Sequence, residues 1–143
     1  NNITWKKTNP PPNLACRCFT HSTETILWAR KDEKKARHLF NYEQMKQMNG
    51  GKQMKDVWEG SLTRPSEQWA GRHPTQKPEY LLERIILAST KKGDVVLDPF
   101  CGSGTTGVVS GKYGRQFIEI DNNEEYLDIA KRRLDQIQEA LEW

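Results

Sequence analysis

No apolar run in the 143 residues approaches the ~20 that a membrane-spanning helix needs, so a transmembrane helix is excluded and no membrane partner is expected. Cysteine is scarce. Cys16, Cys18 and Cys101 are too few and too unevenly spaced for a disulfide framework, which points to a reducing cytoplasmic compartment. Cys16-Arg17-Cys18 falls two ligands short of a tetrahedral zinc site, with only His21 and His38 to help, and reads as two small residues beside a strand. The start, Asn1-Asn2-Ile3-Thr4-Trp5, has neither an initiator Met nor the apolar stretch of a signal peptide, so the sequence is expected to be the middle of a longer chain.

What is present is one domain's length of polar sequence, 35% hydrophobic and 29% charged, enough for a modest core. The net charge of +3 divides unevenly. Residues 1–77 carry 14 Lys/Arg against 7 Asp/Glu (+7), and residues 78–143 carry 8 against 12 (−4). A basic part facing a polyanion and an acidic part with another task would account for that split, and so would an ordinary solvated surface.

Ile3-Thr4-Trp5 predicts a short strand, broken by the proline-rich Asn9-Pro10-Pro11-Pro12-Asn13, and Thr25–Ala29 predicts a short buried strand ending at Arg30-Lys31. Between Lys31 and Trp69 no period holds. Lys34, Lys35, Arg37, Lys46, Lys52, Lys55 and Arg64 are interleaved there with Tyr42, Trp58 and Trp69, which predicts an irregular insertion with one or two short helices. Basic residues mixed with aromatics make nucleic acid the natural partner, with Arg30, Lys31, Lys34 and Lys35 as the candidate contacts; the alternative for this segment is a mobile loop. From His73 the pattern turns regular: a helix starting at Pro78 and ending near Lys92-Gly93, a strand Asp94–Leu97, a glycine loop, a helix Thr105–Lys112, a strand Gln116–Ile120, and a last helix striped by Tyr126, Ala130, Leu134, Ile137 and Leu141. That β-loop-α-β-α order is a nucleotide-binding half-fold of the α/β class.

Gly102-Ser103-Gly104-Thr105-Thr106-Gly107 fits G-x-G-x-x-G after a strand, with Asp121 nineteen residues past Gly102 to accept ribose hydroxyls. No Gly-Lys-Ser/Thr follows, which removes P-loop chemistry. Asp98, at the first strand's carboxyl end, places negative charge where a dinucleotide's pyrophosphate would sit. It suits instead the sulfonium and ammonium of S-adenosylmethionine, unless it is only a turn residue before Pro99.

Asp98-Pro99-Phe100-Cys101-Gly102-Ser103-Gly104-Thr105-Thr106 resembles the cofactor motif of the amino-methylating DNA methyltransferases, which act on adenine N6 or cytosine N4. His73-Pro74-Thr75-Gln76-Lys77-Pro78 resembles the segment preceding that loop in the β class. Gly114-Arg115 and Asp121 followed by Tyr126 continue the pattern, and Trp5-Lys6-Lys7 with Glu24–Trp28 resembles the strands flanking the target-base pocket. The resemblance implies a partial Rossmann-like methyltransferase fold with a three-layer α/β/α sheet. Residues 1–30 would flank the base pocket, 31–72 would form the target-recognition insertion and 73–143 the cofactor-binding half. It implies that Phe100, Cys101, Gly102, Ser103, Gly104 and Thr105 wrap the methionine part, that Asp121 binds the ribose, and that Thr75 and Lys77 hold the carboxylate. Cys101 is a small lining residue, and His73 reads as a structural histidine.

The family's Asp/Asn/Ser-Pro-Pro-aromatic motif, whose oxygens accept the amino hydrogens of a flipped base, is not in the sequence. Asn9-Pro10-Pro11-Pro12 comes nearest and fails at the stacking aromatic. The expectation is a bacterial, cytoplasmic DNA methyltransferase of a restriction-modification system, adenine N6 ahead of cytosine N4. It would act on double-stranded DNA as a homodimer or with an amino-terminal half in trans. The rivals are a non-catalytic DNA-binding remnant and an NAD-dependent oxidoreductase, for which no hydride-transfer site is visible.

Overall fold

The computed structural model describes residues 1–32, 34 and 37–141. Ile3 and Trp5 alternate with polar residues, and β1 (Asn2–Lys7) buries both on one face. It is the middle strand of three. β2 (Thr23–Leu27) pairs with it antiparallel, Asn2 opposite Leu27 and Lys6 opposite Thr23, and β3 (Val57–Gly60) pairs parallel, Trp5 opposite Trp58. Trp58 belongs to the same core cluster as Ile3, Trp5 and Leu81. Residues 57–60 are therefore scaffold inside the stretch expected to be an irregular insertion; a four-residue strand with one buried Trp is too short to show a period. β2 is an edge strand rather than a buried one, because only β1 pairs with it among the described residues, and Leu27 faces solvent.

α1 (Tyr42–Met48) lays Met45 against Leu87 and Ala88 of α2 (Glu79–Ser89). Pro78 caps the start of α2, where a missing N–H costs nothing. The helix ends at Ser89 rather than near Gly93. Its last carbonyls are taken by tertiary partners: Asn41 Nδ2 donates to Leu87 O (2.7 Å) and Thr90 O (2.8 Å), and Arg115 donates to Thr90 O (3.0 Å).

A second, parallel sheet follows, β4 (Val95–Asp98) with β5 (Gln116–Glu119), in register Val95 to Gln116 and Asp98 to Glu119. α3 (Thr105–Lys112) connects them. It covers one sheet face and is buried from Thr105 to Ser110 between α2 and α4 (Glu124–Leu141). Small residues, Thr105, Thr106, Gly107, Ser110 and Gly111, let it sit that deeply. This is the Rossmann-like α/β arrangement, with a helical layer on one face. On the other face Val95, Leu97, Ile118 and Ile120 are each more than half exposed (52–60%), and β4's far edge is unpaired among the described residues. Parallel strands are ordinarily covered on both faces.

The strands share a direction that organises everything else. β1, β3, β4 and β5 all run toward the end where Lys77 Nζ meets Glu24 Oε2 (2.9 Å) and where Thr105 Oγ1 donates to the Lys77 carbonyl (3.2 Å). The opposite end is closed by Asn41, Arg115 and the ring contact of Trp28 with Phe40 (5.2 Å). No described helix is long and apolar enough to cross a membrane. Among the described residues no group of three His, Cys, Asp or Glu could hold a metal ion, and Cys16 and Cys18 are exposed free thiols.

Candidate cofactor site

The glycine loop is shaped from within. Asp98 Oδ1 accepts the Phe100 N–H (3.1 Å) and Oδ2 the Thr106 hydroxyl (2.5 Å), so this carboxylate folds the loop over the start of α3. Gly102 (φ +52°) and Gly104 (φ +73°) occupy the left-handed region, and both have no room for a side chain. A Cβ on Gly102 would lie 2.8 Å from His73 Nε2, and one on Gly104 2.6 Å from the Ala130 Cβ. Ser103 and Thr105 turn inward. Arg133, 3% exposed, donates to Ser103 O (2.7 Å), to Thr105 Oγ1 (3.0 Å) and to Glu79 Oε1 (3.2 Å), tying the loop to α2 and α4.

Asp121 lies just past β5 and is half-buried beside the loop. N–H groups of Asn123 (3.0 Å) and Gly102 (2.8 Å) hold it below the usual carboxylate range, so it is ionised at any physiological pH. Beside it the His73 ring meets Tyr126 edge-on (centroids 4.2 Å), and burial lowers the His73 pKa, with the charge of Lys77 adding to the fall and that of Asp121 opposing it. Cys101 is buried. Desolvation, with Glu119, Asp121 and Asp98 around it, pushes its thiol up to about 12, so it lines the loop as an inert thiol.

The structure thus brings Asp98, Phe100 to Thr105 and Asp121 together at the strand ends, with Thr75 next to His73 and Lys77 at the edge. Phe100 stands out into solvent, 87% exposed. Thr75 donates its N–H to His73 Nδ1 (3.3 Å). Lys77 shares Glu24 with Lys7, whose Nζ lies 2.8 Å from the other carboxyl oxygen. Burial works against ionising Glu24, but hydrogen bonds and charge from the two lysines outweigh it and hold its pKa down. Arg30, Lys31 and Lys34 are not brought to the site: β2 runs away from the loop, and they leave it at the opposite end. Lys35 lies outside the described residues.

Two residues of this site were hidden in the sequence. Arg133 falls three residues past Ala130, on the helix face of α4 that packs against α3, but its charge disguised a buried position. Glu119 points inward from β5, its Oε1 accepting the Gly107 N–H (2.6 Å) while Oε2 is buried without a partner; burial raises its pKa, and Asp98 adds to the rise. The signal was an inverted alternation, with carboxylates inward and aliphatics outward.

A glycine loop between the first strand and helix, an ionised carboxylate ending the second strand and negative charge beneath the loop define a nucleotide-cofactor site of the methyltransferase class. A family model described as DNA methylase matches residues 1–132, and the chain belongs to that family. The type II methyltransferase M2.LlaDCHI of Lactococcus lactis subsp. cremoris is 74% identical over 134 residues, covering 94% of this chain and 50% of that protein. M2.DpnII of Streptococcus pneumoniae is 73% identical over 135 residues, with the same coverage of 94% and 50%. The crystal structure of the M1.HpyAVI–SAM complex superposes with a TM-score of 0.76 at 38% identity, over 94% of this chain and 61% of that one. The chain spans about half the length of the curated relatives it matches.

Proposed function

We propose that the chain is the cofactor-binding and DNA-contacting half of an S-adenosylmethionine-dependent DNA amino-methyltransferase of a restriction-modification system in the bacterial cytoplasm, with adenine N6 as the preferred acceptor. The observation that carries this reading is the cradle formed by Gly102, Gly104 and Asp121, together with the family match. The residues fit the cofactor. Asp98, Glu119 and Asp121 gather negative charge around the loop, which disfavours a pyrophosphate and favours a sulfonium. The cofactor, when bound, supplies an electrophilic methyl group. Asp121 accepts the ribose hydroxyl hydrogens, Lys77 takes the carboxylate, Phe100 to Thr105 pass around the methionine part, and Arg133 fixes the loop from behind.

Activating the acceptor amine falls to a complementary half, in cis or in trans. The near match at Asn9 is already used, since its Oδ1 accepts the Leu62 N–H (2.8 Å). The bare aliphatic face of β4 and β5 is where that half would pack, adding a strand at the open edge of β4 and a covering layer. Isothermal titration with the folded full chain is expected to show cofactor binding that Asp121→Ala weakens, with no competition from NAD. Transfer of a tritiated methyl group to DNA is expected only with the complementary half, and to adenine. A folded protein without cofactor affinity overturns the reading.

A further inference from the structure

Because the strands share a direction, the loops that follow β1 and β3 emerge beside the glycine loop, and the residues on them are the ones placed to meet a substrate there. We propose that loop 8–22 and segment 61–72 form the DNA-contacting surface, with Arg17, Arg64 and Arg72 taking backbone phosphates and Phe19 and Trp69 stacking on bases. This rests on the methyltransferase reading above. It moves the contact away from the basic stretch beginning at Arg30, whose ends lie at the far side of the fold.

The two segments are fastened to each other and to the cofactor site. Thr8 N–H donates to Gly60 O (3.0 Å), Leu62 N–H to Asn9 Oδ1 (2.8 Å), and Thr63 Oγ1 to Gln76 O (2.5 Å), one residue before Lys77. Further along, Arg132 Nε donates to Ala70 O (3.1 Å), and His73 lies over Gly102. The loop 8–22 carries its own internal restraints. It has three consecutive prolines, and Asn13 closes its tip by donating to Cys18 O (2.9 Å) while accepting the Ala15 N–H (3.1 Å). On this frame Phe19 is completely exposed and Trp69 is 53% exposed. Holding bare aromatic rings on a restrained loop lowers the ordering cost of binding something that stacks on them.

The charge is of one sign and available. Residues 8–22 contain no Asp or Glu, and the one acid in 61–72, Glu67, accepts the Glu79 N–H through Oε2 (2.9 Å). Among the described residues Arg17, Arg64 and Arg72 are exposed and take part in none of the ion pairs. Guanidinium groups suit phosphate because their fork of donors matches two oxygens at once.

The test compares two sets of variants of the full chain by fluorescence anisotropy on a labelled DNA duplex across a salt series. The set Arg17→Ala, Arg64→Ala and Arg72→Ala is expected to lower the salt slope of log affinity by about 0.9 for each phosphate that is no longer neutralised. Phe19→Ala and Trp69→Ala are each expected to weaken binding by about five- to a hundredfold on a duplex carrying unpaired bases, whose faces are free to stack, and by less on a fully paired one. Arg30→Ala, Lys31→Ala and Lys34→Ala are expected to change neither. Cofactor titration and the unfolding midpoint should stay at wild-type values in all of them, since every altered side chain is on the surface. Loss of DNA binding in the Arg30 set and not in the Arg17 set, or an equal loss in both, overturns the proposal. A wild-type protein that binds the cofactor but no DNA overturns the function on which it rests.

Discussion

Arg133→Met should destabilise the protein by about 3 kcal/mol, the lower end of the ~3–5 kcal/mol lost when one partner of a buried ion pair is removed. The lower end applies because Glu79 is 26% exposed in its side chain and keeps Lys112 (2.5 Å) after Arg133 is gone. What is left without a partner is the Ser103 carbonyl, in a part of the loop that water does not reach, while the Thr105 hydroxyl loses one of its two hydrogen bonds and keeps the one to the Lys77 carbonyl. With a urea slope of about 2 kcal/mol/M, the midpoint falls by about 1.5 M. Tryptophan fluorescence reports it, because Trp5 and Trp58 sit in the core. The same variant should lose cofactor affinity, since the loop is no longer held from behind. Arg133→Lys keeps the charge without the fork and should fall between the two. A midpoint within about 0.25 M of wild type would refute the assignment of Arg133 as the loop's support.

Gly104→Ala forces a Cβ into the left-handed region against Ala130, and a drop in melting temperature corresponding to at least ~1–2 kcal/mol is expected by calorimetry. Cys16 and Cys18 should be alkylated by iodoacetamide at pH 8 while Cys101 is spared until the protein unfolds, which peptide mass spectrometry would show; rapid labelling of Cys101 would contradict its raised pKa. Glu119 has a folded-state pKa above the ordinary glutamate value of 4.5, so its neutral form stabilises the fold below that pH, and the contribution is lost as pH rises through the folded pKa. Glu119→Gln should therefore be more stable than wild type at neutral pH, with the difference closing as pH falls toward 4.5. For Glu24 the sign is reversed: its depressed pKa stabilises the fold above 4.5, and chemical denaturation of Glu24→Gln should match wild type only in acid.

The carboxyl-terminal elements were legible because each follows a local rule. α3 runs from Thr105 to Lys112 as its glycine start requires, and β4 (Val-Val-Leu-Asp) and β5 (Gln-Phe-Ile-Glu) are short runs with apolar centres between turn signals. β3 was not legible, since four residues pairing in parallel with β1 depend on a partner more than fifty residues away. The end of α2 falls short of Gly93 because Asn41, distant in sequence, caps it. At the site, the glycines and Asp121 announce themselves, whereas Arg133 and Glu119 do their work buried, where sequence patterns lead one to expect apolar side chains. The placement of Arg30, Lys31 and Lys34 needed the direction of β2, a topological fact that no composition count carries.

The outward face of β4 and β5 also decides how these residues behave during synthesis. Val95, Leu97, Ile118 and Ile120 lie side by side next to an open backbone edge, and Val-Val-Leu-Asp in β4 holds no lysine or proline to blunt it. Expressed without a covering layer, this surface is a template for strand addition between copies, and self-association that grows with protein concentration is the expected behaviour. If the complementary half proposed above is supplied as a separate polypeptide, coexpression should give more soluble protein than mixing the two after purification, because the edge would be covered before it met another like itself.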